Sequence, residues 1–291
     1  MQFDGIILKG ISGFYYVEVG DAIYECKAKG IFRKKKITPL AGDRVVITVR
    51  DDCENTLDDI KPRKNFFVRP PVSNVDQMLF VSSVVEPNVN TVVMDKMIAI
   101  AEKKGIEPII VFTKSDLSDS AFLVETYKKA GFKTFSLGLD DYEVDEIKSL
   151  LSGKVTVLTG NTGVGKSTLI NKLSPGLSLA TGEISDKLGR GKHTTRQAEL
   201  FKLFGGYVID TPGFSSLDFA ECETILKDEL QFCFREFDSS MGKCKFVDCL
   251  HICEKGCDII DRVKNGDIPE SRHTSYVTIF NEIKDIKHWQ I

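Results

Sequence analysis

The 291-residue sequence has no stretch approaching the roughly 18 consecutive apolar residues of a membrane-spanning helix. Its first ten residues, MQFDGIILKG, carry charges and no apolar run leading to a small-residue cleavage site, so export is not expected and a cytoplasmic location is. Internal repeats and low-complexity tracts are absent. So is an excess of either charge: 39 Lys and Arg stand against 42 Asp and Glu, a net −3. That excludes a uniformly basic protein and leaves room for local basic patches that touch phosphate. Cysteine is scarce outside one short stretch. Four of the eight lie between Cys244 and Cys257, which in the cytosol reads as a metal site and not a disulfide framework. With 42% hydrophobic and 28% charged residues the composition is that of a globular protein, and the length suits two or three domains.

Residues 1–67 alternate apolar and polar over short runs, IILKG, FYYVEVG, AIYECKAKG and DRVVITVRD, broken by Gly, Asp and Pro. A small antiparallel barrel of the five-stranded oligonucleotide-binding type (OB-fold) is expected, because closure removes open strand edges. The loop carrying Arg33, Lys34, Lys35 and Lys36, thickened by Lys61, Arg63, Lys64 and Arg69, is a candidate RNA contact. From Asp76 the pattern changes to buried strands alternating with amphipathic helices, Val93, Met97, Ile100 and Ala101 sharing one stripe. Such alternation predicts an α/β sheet with ligand sites on loops at the strand carboxyl ends. After residue 218 the chain is expected to form a third, small helical domain over 219–291, closing with a helix begun near Pro269.

The chemistry sits in four segments. The strand KVTVLT runs into Gly160, Asn161, Thr162, Gly163, Val164, Gly165, Lys166 and Ser167, then Thr168 and an apolar helix: the P-loop pattern in its strand–loop–helix context. Its glycines turn backbone N–H groups onto phosphates, Lys166 reaches the β/γ-phosphates and the Ser167 hydroxyl ligates Mg²⁺. Thr113, Lys114, Ser115 and Asp116 follow the apolar strand PIIVF. The Asp116 carboxylate can accept from both guanine N1–H and the exocyclic amine, a donor pair adenine lacks. Threonine in place of the commoner asparagine is expected to loosen the bracing of this loop, and the Ser136 amide is a candidate donor to guanine O6. Asp210 and Gly213, within DTPG, offer a carboxylate for Mg²⁺-bound water and an amide for the γ-phosphate. The polar segment between P-loop and DTPG is the expected switch loop, with Thr194 or Thr195 as the Mg²⁺ ligand; the sequence leaves both open. Phe214 stands where Ras-like enzymes carry a water-orienting Gln, which makes His193 the candidate catalytic residue. Gly163 replaces the asparagine associated with potassium dependence. The base-reading TKSD precedes the P-loop, the reverse of a Ras-like chain, so the G motifs are circularly permuted within 68–218.

Cys244, Cys249, His251 and Cys257 supply three thiolates and an imidazole, enough for one closed, structural Zn²⁺ shell. A four-cysteine shell using Cys253 instead of His251 is the alternative. Permuted TKSD, P-loop, GKHTTR, DTPG and CKFVDCLHICEKGC together resemble, over essentially the whole chain, the RsgA family of small-subunit-dependent GTPases. The resemblance implies an amino-terminal OB-fold, a permuted GTPase and a carboxyl-terminal zinc domain. It also implies binding of GTP and GDP and of the 30S subunit with its 16S rRNA, late maturation of that subunit, release on hydrolysis to GDP and phosphate, and no membrane. A monomer is expected. Within it His193 matches the switch histidine, and Cys244, Cys249, His251 and Cys257 the zinc ligands; Asn161-Thr162 departs from the family's frequent Gln-Ser. Two other readings are a regulatory GTPase with a protein partner and an RNA-binding module with a degenerate nucleotide site. Intact Lys166, Ser167, Asp116 and Asp210 argue against the latter.

Overall fold

The computed structural model of the chain describes residues 1–50, 53–68, 70–138, 143–173, 198–210 and 223–287. These fall into two compact units, one drawn from Met1–Gln77, Asp145–Leu158 and Gly176–Phe214, the other from Met78–Val144, Thr159–Pro175 and Ser215–Ile291.

The first unit begins with β1 (Gln2–Ile11), β2 (Phe14–Val19), β3 (Ala22–Ala28), β4 (Arg44–Thr48) and β5 (Asn55–Ile60), closed into a barrel in the order β1-β2-β3-β5-β4. All pairings are antiparallel except β3 with β5. Alternation sends Ile7, Val17, Cys26, Val45, Ile47 and Leu57 inward to a common core. The β1–β2 turn places Ser12 and Gly13 at φ 50° and 89°, the left-handed pair that a two-residue hairpin requires. The basic run, expected in a loop, instead straddles the end of a short helix α1 (Gly30–Lys34). Phe32 anchors that helix in the barrel core, which leaves Arg33 to Lys36 exposed beside it.

The same unit holds β11 (Val155–Thr159, to Leu158), β12 (Glu199–Leu203) and β13 (Gly206–Asp210), with β11 parallel and β12 antiparallel to β13. Strand β12 falls in what the sequence suggests is switch loop. The second unit carries β8 (Gln77–Ser83, from Met78), β9 (Glu107–Thr113) and β10 (Lys133–Leu137), with β9 and β10 parallel. The strand order is β11-β13-β12 in the first unit and β10-β9-β8 in the second, the α/β architecture expected. Two short strands, β6 (Phe66–Phe67) and β7 (Val72–Ser73), pair separately.

Helix α2 (Thr91–Lys103) starts where the Asn90 side chain accepts the Val93 N–H at 3.1 Å. Its buried face takes in Met97, Ile100 and Ala101 of the predicted stripe, leaves Val93 half-buried and adds Met94, Ile98 and Asp95. Tyr127, on α3 (Ala121–Lys129), donates its hydroxyl to Asp95 at 2.8 Å, and Arg272 donates a charge-assisted bond to the same carboxylate. Arg272 lies on the closing helix Glu270–Ile283, begun at Pro269 as expected, and also bonds Glu236 at 2.6 Å. Arg272 is 1% exposed. Burying a cation is costly unless its charge and donors are matched, and here Asp95 and Glu236 supply two carboxylates to the Arg272 guanidinium.

Candidate nucleotide and metal sites

Strand β11 is wholly buried and ends at Thr159; there the chain must turn under β8. Gly160 sits at φ 148°, and a Cβ on it would lie 2.2 Å from the Val81 carbonyl oxygen, a distance no side chain tolerates. Helix α4 (Lys166–Leu173) opens directly after this loop, so its unpaired first-turn amides and positive dipole end face the loop's concave side. The Lys166 ammonium arches back to the carbonyls of Gly160 (2.6 Å) and Asn161 (2.8 Å), over the loop's mouth. Backbone donors with one cation above them make an anion cradle.

The TKSD loop is packed against that cradle. Thr113 ends β9, and its hydroxyl lies 2.5 Å from the Val164 carbonyl oxygen and 3.3 Å from that of Ser82. The loosening expected from threonine is therefore not what the structure has: the shorter side chain still donates to the P-loop. Lys114, at φ 60°, donates to the carbonyls of Val85, at 3.3 Å, and of Glu86. The Ser115 N–H is held by the Leu137 carbonyl, and Asp116 is exposed at the loop's edge. The Ser136 amide differs from expectation. It donates to Glu143 Oε2 at 2.6 Å, because β10 is an edge strand whose outward N–H needs an acceptor.

Asp210 ends β13 with Leu158 opposite it on β11 and Glu199 opposite it on β12. Its side chain, and all of His193, Thr194, Thr195, Gly213 and Phe214, lie outside the described residues.

The second constellation is made of side chains. The ligand atoms of Cys244, Cys249, His251 and Cys257 all lie within 4.8 Å of one another. His251 Nδ1 is 3.4 Å from Cys257 Sγ and 3.6 Å from Cys244 Sγ, and the two sulfurs are 3.8 Å apart. Ligands at zinc's usual bond lengths of about 2.0–2.3 Å lie about 3.5–3.8 Å apart along the edges of a tetrahedron, so the donor set fits that ion. His251 Nε2 is 3.0 Å from Gln231 Oε1, which favours a proton on Nε2 and leaves Nδ1 as the donor atom. Cys253 is exposed and takes no part in the cluster, which disfavours the four-cysteine alternative. The supporting groups had no sequence signal: Gln231 is 20 residues away, and the closing helix sends His273 to the His251 carbonyl at 2.7 Å and Tyr276 to that of Leu250 at 2.9 Å. Among the described residues no helix is long and apolar enough to cross a membrane.

The chain is similar to known proteins over nearly its whole length. Family models described as RsgA GTPase and RsgA N-terminal domain match residues 60–220 and 4–57. A small ribosomal subunit biogenesis GTPase RsgA from Caldanaerobacter subterraneus subsp. tengcongensis is 43% identical, over 98% of this chain and 97% of its own. The protein of that name from Bacillus subtilis (strain 168) is 42% identical, with 98% of each chain covered. The crystal structure of YloQ, a circularly permuted GTPase, superposes with a TM-score of 0.81 at 37% identity, covering 99% of this chain and 96% of that one. YjeQ from Thermotoga maritima gives 0.80 at 33% identity, covering 97% and 99%.

Proposed function

Since the chain belongs to the RsgA GTPase family and is a GTP hydrolase, we propose that it binds the small ribosomal subunit through 16S rRNA, acts in that particle's late maturation and leaves once GTP is hydrolysed. The observation that carries this reading is the Thr113–Val164 bond, which seats a guanine-reading loop against an anion cradle in a chain so similar to small-subunit biogenesis GTPases. The exposed run from Arg33 to Lys36 offers cations for an RNA backbone. Such a partner implies a cytoplasmic location and requires no oligomer.

In this reading the amides of Gly160, Asn161, Thr162, Gly163, Val164 and Gly165, continued by Thr168 on α4, hold the phosphates. Lys166 exchanges two loop carbonyls for the β/γ-phosphate oxygens, and Asp116 accepts both guanine donors while the stem of Lys114 lies on the base. Ser167, one of Thr194 and Thr195, and Asp210 through water are the residues that hold Mg²⁺, which neutralises phosphate charge when bound. Gly213 presents its amide to the γ-phosphate. His193 orients the attacking water, the task Phe214 cannot perform. Cys244, Cys249, His251 and Cys257 hold one structural Zn²⁺.

Single-turnover GTP hydrolysis with each ribosomal subunit tests the proposal. Alone, the protein should turn over at roughly 10⁻⁴ to 10⁻² per second, the range of GTPases lacking a partner-supplied group, and the 30S subunit should raise this steeply. Co-sedimentation should be retained with a non-hydrolysable GTP analogue and lost with GDP. Stimulation by 50S alone would show the partner to be wrong.

A further inference from the structure

The barrel and the β12–β13 hairpin belong to one compact unit, and charged side chains tie them together at two places. Lys9 on β1 meets Glu199 on β12 at 2.7 Å, each side chain about one-third exposed. Glu18 on β2 is nearly buried; it accepts from Lys202 of β12 at 2.9 Å and from the Tyr207 hydroxyl of β13. Strand β1 packs along β12, the edge strand of the sheet.

Covering an edge strand explains the packing but not the charges, since apolar contact or a single lysine blunts an edge. Their placement is specific. Lys202 and Tyr207 are directly opposite one another near the hairpin's turn, and Glu199 faces Asp210 at its open end. Asp210 in turn faces Leu158, two residues before the P-loop's first glycine. The barrel therefore grips the hairpin at both ends, through two adjacent strands joined by a tight turn. Charge-assisted hydrogen bonds are short and directional, so a shift of the barrel carries the hairpin with it instead of sliding past.

We propose that Lys9 and Glu18 are positioning residues for GTP hydrolysis: through Glu199, and through Lys202 and Tyr207, they pass the position of the barrel to the strand end at Asp210, so that an RNA-bearing partner seated on the barrel sets the geometry of the Mg²⁺ side of the site. The identity of that partner rests on the function proposed above; the coupling itself rests on the unit's own contacts.

The test is a charge-swap cycle in the full-length protein: wild type, Lys9→Glu, Glu199→Lys and the double swap. Two quantities are read: the ratio of 30S-stimulated to unstimulated single-turnover rates, and, independently of turnover, the Mg²⁺ concentration giving half-maximal retention of a non-hydrolysable GTP analogue. Each single reversal should lower the ratio by about tenfold and raise the Mg²⁺ requirement by about threefold, with 30S affinity and melting temperature near wild type, and the double swap should restore both readouts. Lys9→Met, which keeps the aliphatic stem, should move both in the same direction by less, and stands in if a reversal does not fold. Single variants that match wild type on both readouts, or a folded double swap no better than the singles, would overturn the proposal. If 30S fails to stimulate even the wild type, the partner is wrong, and the Mg²⁺ requirements across the four proteins still decide whether the clamp exists.

Discussion

The P-loop cradle and the cysteine–histidine cluster are both short loops with the shape and chemistry to receive a ligand, but different parts of the chain stiffen them. In the cradle the main chain carries the shape: Gly160 passes under Val81, and Thr113 grips a carbonyl of the loop. The cradle's form thus comes from the strands and helix on which it is strung. Residues 241–257 contain no helix or strand. There the Glu254 carboxylate gathers the N–H groups of Leu250, Ile252 and Cys253, and four ligand side chains converge. Burial opposes ionisation of Glu254, yet those backbone donors outweigh it and hold its carboxyl below the usual range. A loop held mainly by side chains depends on what those side chains bind, whereas a loop held by backbone does not.

The largest effect should come from breaking the metal cluster. In Cys257→Ser, zinc content should fall from about one equivalent to near zero, and the 241–257 region should become protease-sensitive, because binding energy of about 10–16 kcal/mol at such sites is also folding energy. GTP affinity should change little. Elemental analysis with limited proteolysis checks both; a metal-free variant that keeps this region protected would contradict the comparison. Gly160→Ala is the reciprocal experiment. A Cβ 2.2 Å from a backbone oxygen forces the loop or β8 to move, costing about 3 kcal/mol or more, so melting temperature and GTP affinity should both drop while zinc stays bound.

Asp116→Asn should leave both loops intact and change only what the cradle's neighbour reads. Asparagine keeps one acceptor and presents an unwelcome donor, so GTP affinity should fall by about 2–3 kcal/mol with preference moving to xanthine nucleotides. Equal GTP affinity in a competition titration would refute the assignment. The smallest effect lies in the barrel, where side chains brace without a metal. Burial disfavours ionised Asp58, but bonds from Thr48, Thr56 and Lys29 prevail and push its carboxyl down to about 2. That contribution is present above the ordinary aspartate value and is lost as pH falls from there through about 2. Asp58→Asn should therefore cost about 1 kcal/mol at neutral pH, after allowance for solvent screening, and flatten the acid limb of the stability curve. Chemical denaturation across pH 2 to 7, on the order of six points, measures it.

The parts legible in the sequence were those whose determinants are neighbours along the chain. GNTGVGKS after an apolar strand, TKSD after another and CKFVDCLHICEKGC each carry their chemistry within one short segment. The order of the first two was enough to imply permutation. Alternation over the first sixty or so residues implied a barrel for the same local reason, and β1–β5 close as expected. Less legible were elements whose composition mimics a loop. Arg33 and Lys34 look like a solvated loop, yet Phe32 between them and Ile31 anchors a helical turn, and Glu199 and Leu200, which open β12, read as the end of the polar run preceding them.

By itself, then, the sequence determined which residue types stand at the close spacings of a P-loop, a TKSD loop and a cysteine–histidine cluster, because each pattern lies within one short segment. Only the tertiary structure decided how those groups are held. Thr113 and Val164 are 51 residues apart, and nothing local says that the threonine hydroxyl reaches that carbonyl. Gln231 orients His251 from 20 residues away, Glu143 takes the amide expected for guanine, and Lys9 meets Glu199 across 190 residues. Each of these partners is an ordinary polar side chain whose choice of bond depends on where folding leaves the nearest unpaired donor or acceptor. That information exists only once strands are paired and their edges are covered.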